Sequence, residues 1–163
     1  MELNEIKLLN SYYENIHNRA DALSKALKKA GYNGEFGYFN MHSINVDNEF
    51  YTEYFPIPVF TIDEYTDIDM NFDETSIETT VSRNAALSVD YEELAKKYKF
   101  EVYGVENYLE DYYNENLLLS ETAERIEKSK ESQIHIAFDL GQAPEPAEII
   151  EILDNVISKL INM

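Results

Sequence analysis

The chain has 163 residues and no cysteine, and its 32 acidic and 13 basic residues give a formal net charge of -19. This length fits a single domain, residues 1–163, and the missing cysteines exclude disulfides, thiolate catalysis and cysteine-ligated metals. Because nucleic acids and anionic membrane surfaces are polyanions, the charge argues against both and favours a basic protein or a divalent cation as the partner.

The predicted elements begin with a long helix over residues 3–30. Its apolar residues recur at alternating spacings of three and four, which winds one apolar stripe along the helix. This stripe consists of Ile6, Leu9, Tyr13, Ile16, Ala20, Leu23, Leu27 and Ala30. Lysines in the last turns and Gly31 beyond them favour a helix end at this point. The stripe fits either a helix packed on a sheet or a coiled-coil homodimer, and we expect the sheet.

Residues 35–46 are predicted to form a first strand, which Asp47 and Asn48 end. The aromatic segment 49–58 that follows contains Pro56 and Pro58 near its end. Because proline cannot donate to a β ladder, this segment favours an edge strand or an extended loop over a central strand.

Three runs of alternating apolar and polar residues lie between Pro56 and Arg83. A period of two places all apolar side chains of a strand on one face, so the runs predict an antiparallel meander with one apolar and one acidic face. Its turns are predicted at residues 63–65 and 73–75. The apolar positions are Phe60, Ile62, Ile68, Met70, Phe72, Ile77, Thr79 and Val81.

The second half of the chain predicts a short helix capped by Asp90, a strand over 100–105, a helix over 117–131, a strand over 133–140 and a final helix over 147–161. We therefore expect an α+β fold: an antiparallel-rich sheet of about 5–6 strands, with the long N-terminal and C-terminal helices packed together on its apolar face.

The acidic face of the predicted meander has no balancing charge nearby, since no lysine or arginine occurs from Ala30 to Ser82. Facing carboxylates on neighbouring strands repel by roughly a few tenths of a kcal/mol or more per pair. The face is therefore a candidate site for a basic partner, although it also fits a solvated surface. A tyrosine- and acid-rich segment that starts at Tyr103 supplies further contact area. The candidate partner-binding residues are Asp63, Asp67, Asp69, Asp73, Glu78, Tyr108, Tyr112 and Tyr113.

Residues 67–78 resemble the calcium-binding loop of an EF-hand. Oxygen-bearing side chains stand at its first, third, fifth and twelfth positions, which are Asp67, Asp69, Asn71 and Glu78. The segment departs from that loop at Phe72, where glycine makes the sharp turn, and at Glu74, and its flanks predict strands instead of helices. These four residues are thus candidate ligands for a divalent cation such as calcium or magnesium, held more weakly than in an EF-hand.

Catalytic motifs are missing from the sequence: it has no glycine-rich phosphate loop and no nucleophile elbow, and His17, His42 and His135 have simple structural explanations. We expect a non-enzymatic, cytoplasmic binding or regulatory protein, inhibitor-like or immunity-like, that uses no cofactor and engages a basic protein through the acidic face. Two alternatives remain open. One is a divalent-cation-dependent enzyme that uses the same carboxylates, and the other is a structural homodimer formed through the first helix.

Overall fold

A computed structural model describes residues 3–39, 42–46, 49–53, 57–70, 74–104, 119–128 and 131–162. It has an α+β fold with a six-stranded antiparallel sheet and a separate two-stranded hairpin. The expected fold class and strand number are therefore confirmed. None of the described helices is both long and apolar enough to cross a membrane.

The elements follow one another along the chain with these bounds. They are α1 (Leu3–Ala30), β1 (Glu35–Phe39), β2 (His42–Val46), β3 (Glu49–Glu53), β4 (Ile57–Asp63), β5 (Thr66–Met70), β6 (Thr75–Ser82), α2 (Arg83–Leu87), α3 (Tyr91–Ala95), β7 (Lys99–Gly104), α4 (Leu119–Lys128), β8 (Gln133–Asp139), α5 (Pro146–Ile152), a π-helical segment (Leu153–Ile157) and α6 (Ser158–Ile161).

The strand order of the main sheet is β1-β4-β5-β6-β8-β7. The predicted meander is present as β4, β5 and β6, which pair in succession. β8 lies between β6 and β7, so that Ala137 of β8 pairs with Glu78 on one side and Glu101 on the other. This central position of β8 brings residues from three strands of distant sequence onto one surface.

The first predicted strand, residues 35–46, is divided in two by the structure. β1 pairs with β4 in the main sheet, whereas β2 pairs with β3 in the hairpin. Pro58 lies in β4, an internal strand, although its segment was expected at an edge or in a loop. It pairs with Tyr38 of β1, while the described β4–β5 ladder begins at Val59. The proline thus lies beyond that ladder, where a missing N–H costs least.

The helix α1 has the predicted bounds and the predicted C-terminal cap. Gly31 adopts a φ of 94°, a left-handed conformation that glycine enters without steric cost. The backbone N–H of Gly31 donates to the carbonyl of Lys28 at 3.2 Å, and that of Tyr32 donates to the carbonyl of Leu27 at 3.0 Å. These bonds satisfy carbonyls that the end of a helix would otherwise leave unpaired.

One face of the sheet is buried in strict alternation, as the period of two predicts. Along β6 the buried residues are Thr75, Ile77, Thr79 and Val81. Ile77 and Val81 belong to one hydrophobic cluster with residues of the helices, among them Leu23 of α1 and Ile152 of α5. α1 also contacts α5 directly. Each fully buried leucine or isoleucine contributes about 1.5–3 kcal/mol of transfer free energy, so this cluster stabilises the fold.

The remaining predicted elements lie close to their expected positions. Asp90 caps α3, since its Oδ1 accepts a hydrogen bond from the backbone N–H of Glu93 at 2.9 Å. The final helix contains a π-helical segment that the sequence did not indicate. Next to it, the Ser158 hydroxyl donates to the carbonyls of Leu153 and Asp154 at 2.7 and 2.8 Å. The short helix α2 was not predicted, because its five residues are too few for a periodic pattern.

Candidate functional site

The strands β5 and β6 bring three carboxylates together on the face of the sheet opposite the hydrophobic cluster. Alternate residues of β5 are buried, so Asp67 and Asp69 project from the other face. Asp67 lies directly across from Glu78 of β6, whose flanking residues are also buried. We call Asp67, Asp69 and Glu78 the acidic cluster. The sequence predicted this shared face from alternation alone.

Within the acidic cluster, the pKa of Asp69 is raised. Burial, followed by the nearby carboxylates of Glu78 and Asp67, raises the pKa of Asp69 to about 6. No described side chain forms a hydrogen bond or an ion pair with any of the three carboxylates; Lys96 pairs instead with Glu93, and Lys128 with Glu124. The cluster is therefore a region of negative potential whose repulsion a bound cation would relieve.

A groove of about 390 Å³ is lined by residues of β6, β8 and β7 and includes Glu78 of the acidic cluster. Ala137 is part of the lining and lies between its sheet partners Glu78 and Glu101. The ring of Tyr103 forms part of the lining. The charged residues that line this acidic groove are Glu74, Glu78, Glu101 and Asp139, all acidic, and Lys99.

His135 lies on the same face of the sheet, beside the acidic groove. Its Nδ1 is 3.0 Å from the Thr80 hydroxyl oxygen, and its ring is tilted by 31° against that of Tyr103, with 4.9 Å between the ring centroids. These contacts hold the imidazole in place on the sheet surface. Asp139, on the same strand, accepts a hydrogen bond from the backbone N–H of Gly141 at 2.8 Å. His135 and Asp139 therefore have separate hydrogen-bond partners.

Asp63 has a local structural contact in addition to its predicted binding role. Its Oδ1 accepts a hydrogen bond from the backbone N–H of Tyr65 at 2.8 Å and so stabilises the turn between β4 and β5. The other predicted site residues lie outside the described residues. They are Asn71, Asp73, Tyr108, Tyr112 and Tyr113.

The structure places the EF-hand-like segment on two paired strands. Asp67 and Asp69 lie within β5 and Glu78 lies within β6, whereas an EF-hand places its loop between two helices. Within the described part of the chain, no three aspartate, glutamate or histidine side chains form a group that could hold a metal ion. A divalent cation bound by Asp67, Asp69, Glu78 and the undescribed Asn71 stays a prediction.

Sequence reasoning left Glu101 and Ala137 out of the candidate site, together with the other charged residues of the acidic groove, Glu74, Lys99 and Asp139. It assigned Tyr103 only to the tyrosine-rich segment. Alternation does place Glu101, Ala137 and Tyr103 on the outward faces of their strands. What joins them to Glu78 is the position of β8 between β6 and β7, and no local pattern in the sequence indicates that order.

Comparisons with known proteins support the fold and extend over most of the chain. A solved structure, that of a conserved hypothetical protein from Pyrococcus furiosus, superposes with a TM-score of 0.63 and 22% identity over 99% of this chain and 97% of that chain. At this level of identity the likeness shows a shared fold. No curated protein matches the sequence. The protein family described as "Protein of unknown function (DUF3201)" matches residues 7–151, and the chain belongs to this family.

Proposed function

We propose that this protein is a non-enzymatic binding protein whose acidic cluster engages a basic segment of a partner protein. The observation that carries the proposal is that paired strands place Asp67, Asp69 and Glu78 on one face of the sheet, where no described cationic side chain pairs with them. A lysine or arginine placed beside Asp67, Asp69 and Glu78 would replace like-charge repulsion with attraction. The absence of cysteine fits a reducing compartment, and we expect the protein to act in the cytoplasm.

The acidic groove offers the same partner a second and more specific contact. A basic side chain lying over Ala137 would have Glu78 on one side and Glu101 on the other, since both pair with Ala137 in the sheet. The Tyr103 ring in the lining can add a cation–π contact of about 0.5–1 kcal/mol at an exposed site. A basic peptide with several cationic side chains therefore suits this surface better than a single ion.

Fluorescence anisotropy with labelled octalysine and octaglutamate as probes would test the proposal. We expect octalysine to bind and octaglutamate not to bind, and the octalysine affinity to fall as salt screens the charges over about 10 Å at 0.1 M. The test variant combines Asp67→Asn, Asp69→Asn and Glu78→Gln. A matched control combines Glu14→Gln, Asp21→Asn and Glu145→Gln, which changes net charge equally at exposed positions away from the sheet.

The two triple variants separate a defined site from a general effect of net charge. We expect the sheet variant to lose octalysine affinity about tenfold or more and the control variant to lose about twofold or less. Equal losses in both variants, or an affinity independent of salt, would overturn the proposal. A calorimetric titration of the wild type with calcium, magnesium and manganese tests the alternative of a divalent-cation-dependent enzyme. Saturable heat of binding that is lost in the sheet variant would favour that alternative.

A further inference from the structure

A second concave site lies at one end of the sheet and does not depend on the proposed function. This cleft, of about 550 Å³, is bordered by the start of β7, the loop after β8 and the helix α5. Of the described residues, only Lys99 and Asp139 line both this cleft and the acidic groove. Its volume lies within the roughly 300–1,000 Å³ that is typical of small-molecule sites. Its lining residues indicate which kind of molecule would fit.

Charged side chains of both signs line this cleft: the two lysines and the two glutamates lie on different elements, and Asp139 pairs with Lys99 in the β7–β8 ladder. Lys97 and Lys99 lie on either side of Tyr98 at the start of β7, whereas Glu148 and Glu151 lie one turn apart on α5. All four are exposed, and none of them forms an ion pair with a side chain in the described ranges. The fold therefore places two ammonium groups opposite the Glu148 and Glu151 carboxylates, while the third carboxylate, that of Asp139, accepts a hydrogen bond from the backbone N–H of Gly141.

Between the charged side chains the cleft has an apolar lining. Leu140 and the buried Ile152 line it, together with Tyr98. The Tyr98 ring packs edge-on against Phe138 with a centroid distance of 6.0 Å, and its hydroxyl donates to Glu151 Oε1 at 3.3 Å. The second oxygen of the Glu151 carboxylate remains as an acceptor. The tyrosine thus positions a carboxylate at the rim of an apolar surface.

We propose that this cleft binds a small zwitterion with an apolar middle, of the size of a short apolar peptide. Its ammonium group would contact Glu148 and Glu151, its carboxylate would contact Lys97 and Lys99, and its middle would cover Leu140. A ligand with one charge would face repulsion from one pair of charged side chains, and a neutral apolar ligand would leave both pairs without a partner. In a tripeptide the terminal charges are roughly 7–10 Å apart, at about 3.3–3.6 Å per residue, so its two ends can contact side chains on different elements.

A titration of the ¹⁵N-labelled full chain, followed by NMR, tests this proposal with the tripeptide Ala-Leu-Ala as the probe. We expect saturable shifts of the Gly141 and Glu151 amides. The N-acetylated and the C-amidated tripeptides, each lacking one charge, should bind at least about tenfold more weakly. No saturable shift with the zwitterion, or equal affinity for all three peptides, would overturn the proposal.

Variants of the lysine pair and of the glutamate pair show whether the two charges bind where the proposal places them. In Lys97→Gln/Lys99→Gln the C-amidated peptide should bind as well as the zwitterion, and in Glu148→Gln/Glu151→Gln the N-acetylated peptide should do so. Lys25→Gln on α1 is the control and should change nothing. All of these positions are exposed, so amides far from the cleft will show that each variant is folded. If the lysine variant and the glutamate variant both change the affinity for the same modified peptide, the proposed placement of the two peptide ends is wrong.

Discussion

At the scale of a single residue, the ionisation of Asp69 depends on where β5 places its carboxyl. Thr66, Ile68 and Met70 fill the buried face, so Asp69 is forced onto the face that carries Asp67 and Glu78. Partial burial and these two neighbours raise the pKa of Asp69 from 3.8 to about 6. The folded chain therefore binds a proton at this position more tightly than the unfolded chain does.

The sign of the linkage predicts that Asp69→Asn stabilises the protein at neutral pH. Because the pKa of Asp69 is higher in the folded chain than in the unfolded chain, its protonation stabilises the fold. This stabilisation is complete below the unfolded-state pKa and is lost as the pH rises through the folded-state pKa of about 6. Because Asp69 is partly exposed, we expect a gain of about 1–2 kcal/mol at pH 7.5 and less than half of it at pH 4.5.

Urea denaturation at the two pH values measures this gain. Glu35→Gln is the matched control, because it removes an exposed carboxylate from β1 of the same sheet, and it should change the free energy of unfolding by less than about 0.5 kcal/mol. A gain at Asp69 that is the same at both pH values would contradict the electrostatic explanation.

At the scale of an element, the helix α1 is longer than the strands of the main sheet. Its 28 residues span about 42 Å, whereas the eight residues of β6 span about 26 Å. The apolar stripe of α1 therefore begins outside the core and enters it only later. Ile6 is 41% exposed, while Ile16 on the same stripe is 2% exposed. Leu3 and Leu8 are also exposed at the start of the helix.

The two isoleucines of this stripe provide a matched pair of variants. We expect Ile16→Ala to cost about 2–4 kcal/mol of unfolding free energy, because it leaves a cavity in the core. We expect Ile6→Ala to cost less than about 0.5 kcal/mol. Urea denaturation at two protein concentrations measures both. If Ile6→Ala costs as much as Ile16→Ala and stability rises with concentration, the homodimer alternative is favoured.

At the scale of the whole molecule, the net charge of -19 acts against compactness. Carboxylates on one folded surface repel more than they do along an extended chain, and salt screens that repulsion, with a Debye length of about 10 Å at 0.1 M and about 3 Å at 1 M. The acidic cluster concentrates this effect on the sheet. Stability should therefore respond to ionic strength through this surface in particular.

We expect the Tm of the wild type to rise by about 2–4 °C between low salt and 0.5 M sodium chloride, which corresponds to about 1 kcal/mol for a domain of this size. Differential scanning calorimetry measures the rise. The rise should be smaller in the Asp67→Asn/Asp69→Asn/Glu78→Gln variant than in the charge-matched control with changes at Glu14, Asp21 and Glu145. Equal rises in these two variants would mean that the repulsion is spread over the surface.

The sequence by itself determined the helix α1, the three strands of the meander and the face on which Asp67, Asp69 and Glu78 lie. These features follow from periods of 3.6 and two residues, which are local properties of the chain. Only the tertiary structure decided that β8 lies between β6 and β7, that β2 leaves the main sheet to pair with β3, and that Lys97 and Glu151 line one cleft. Alternation is compatible with many strand orders, because a strand with one buried face can pair with any neighbour whose buried face matches. Packing of the whole chain selects one order, and with it the acidic groove at Ala137.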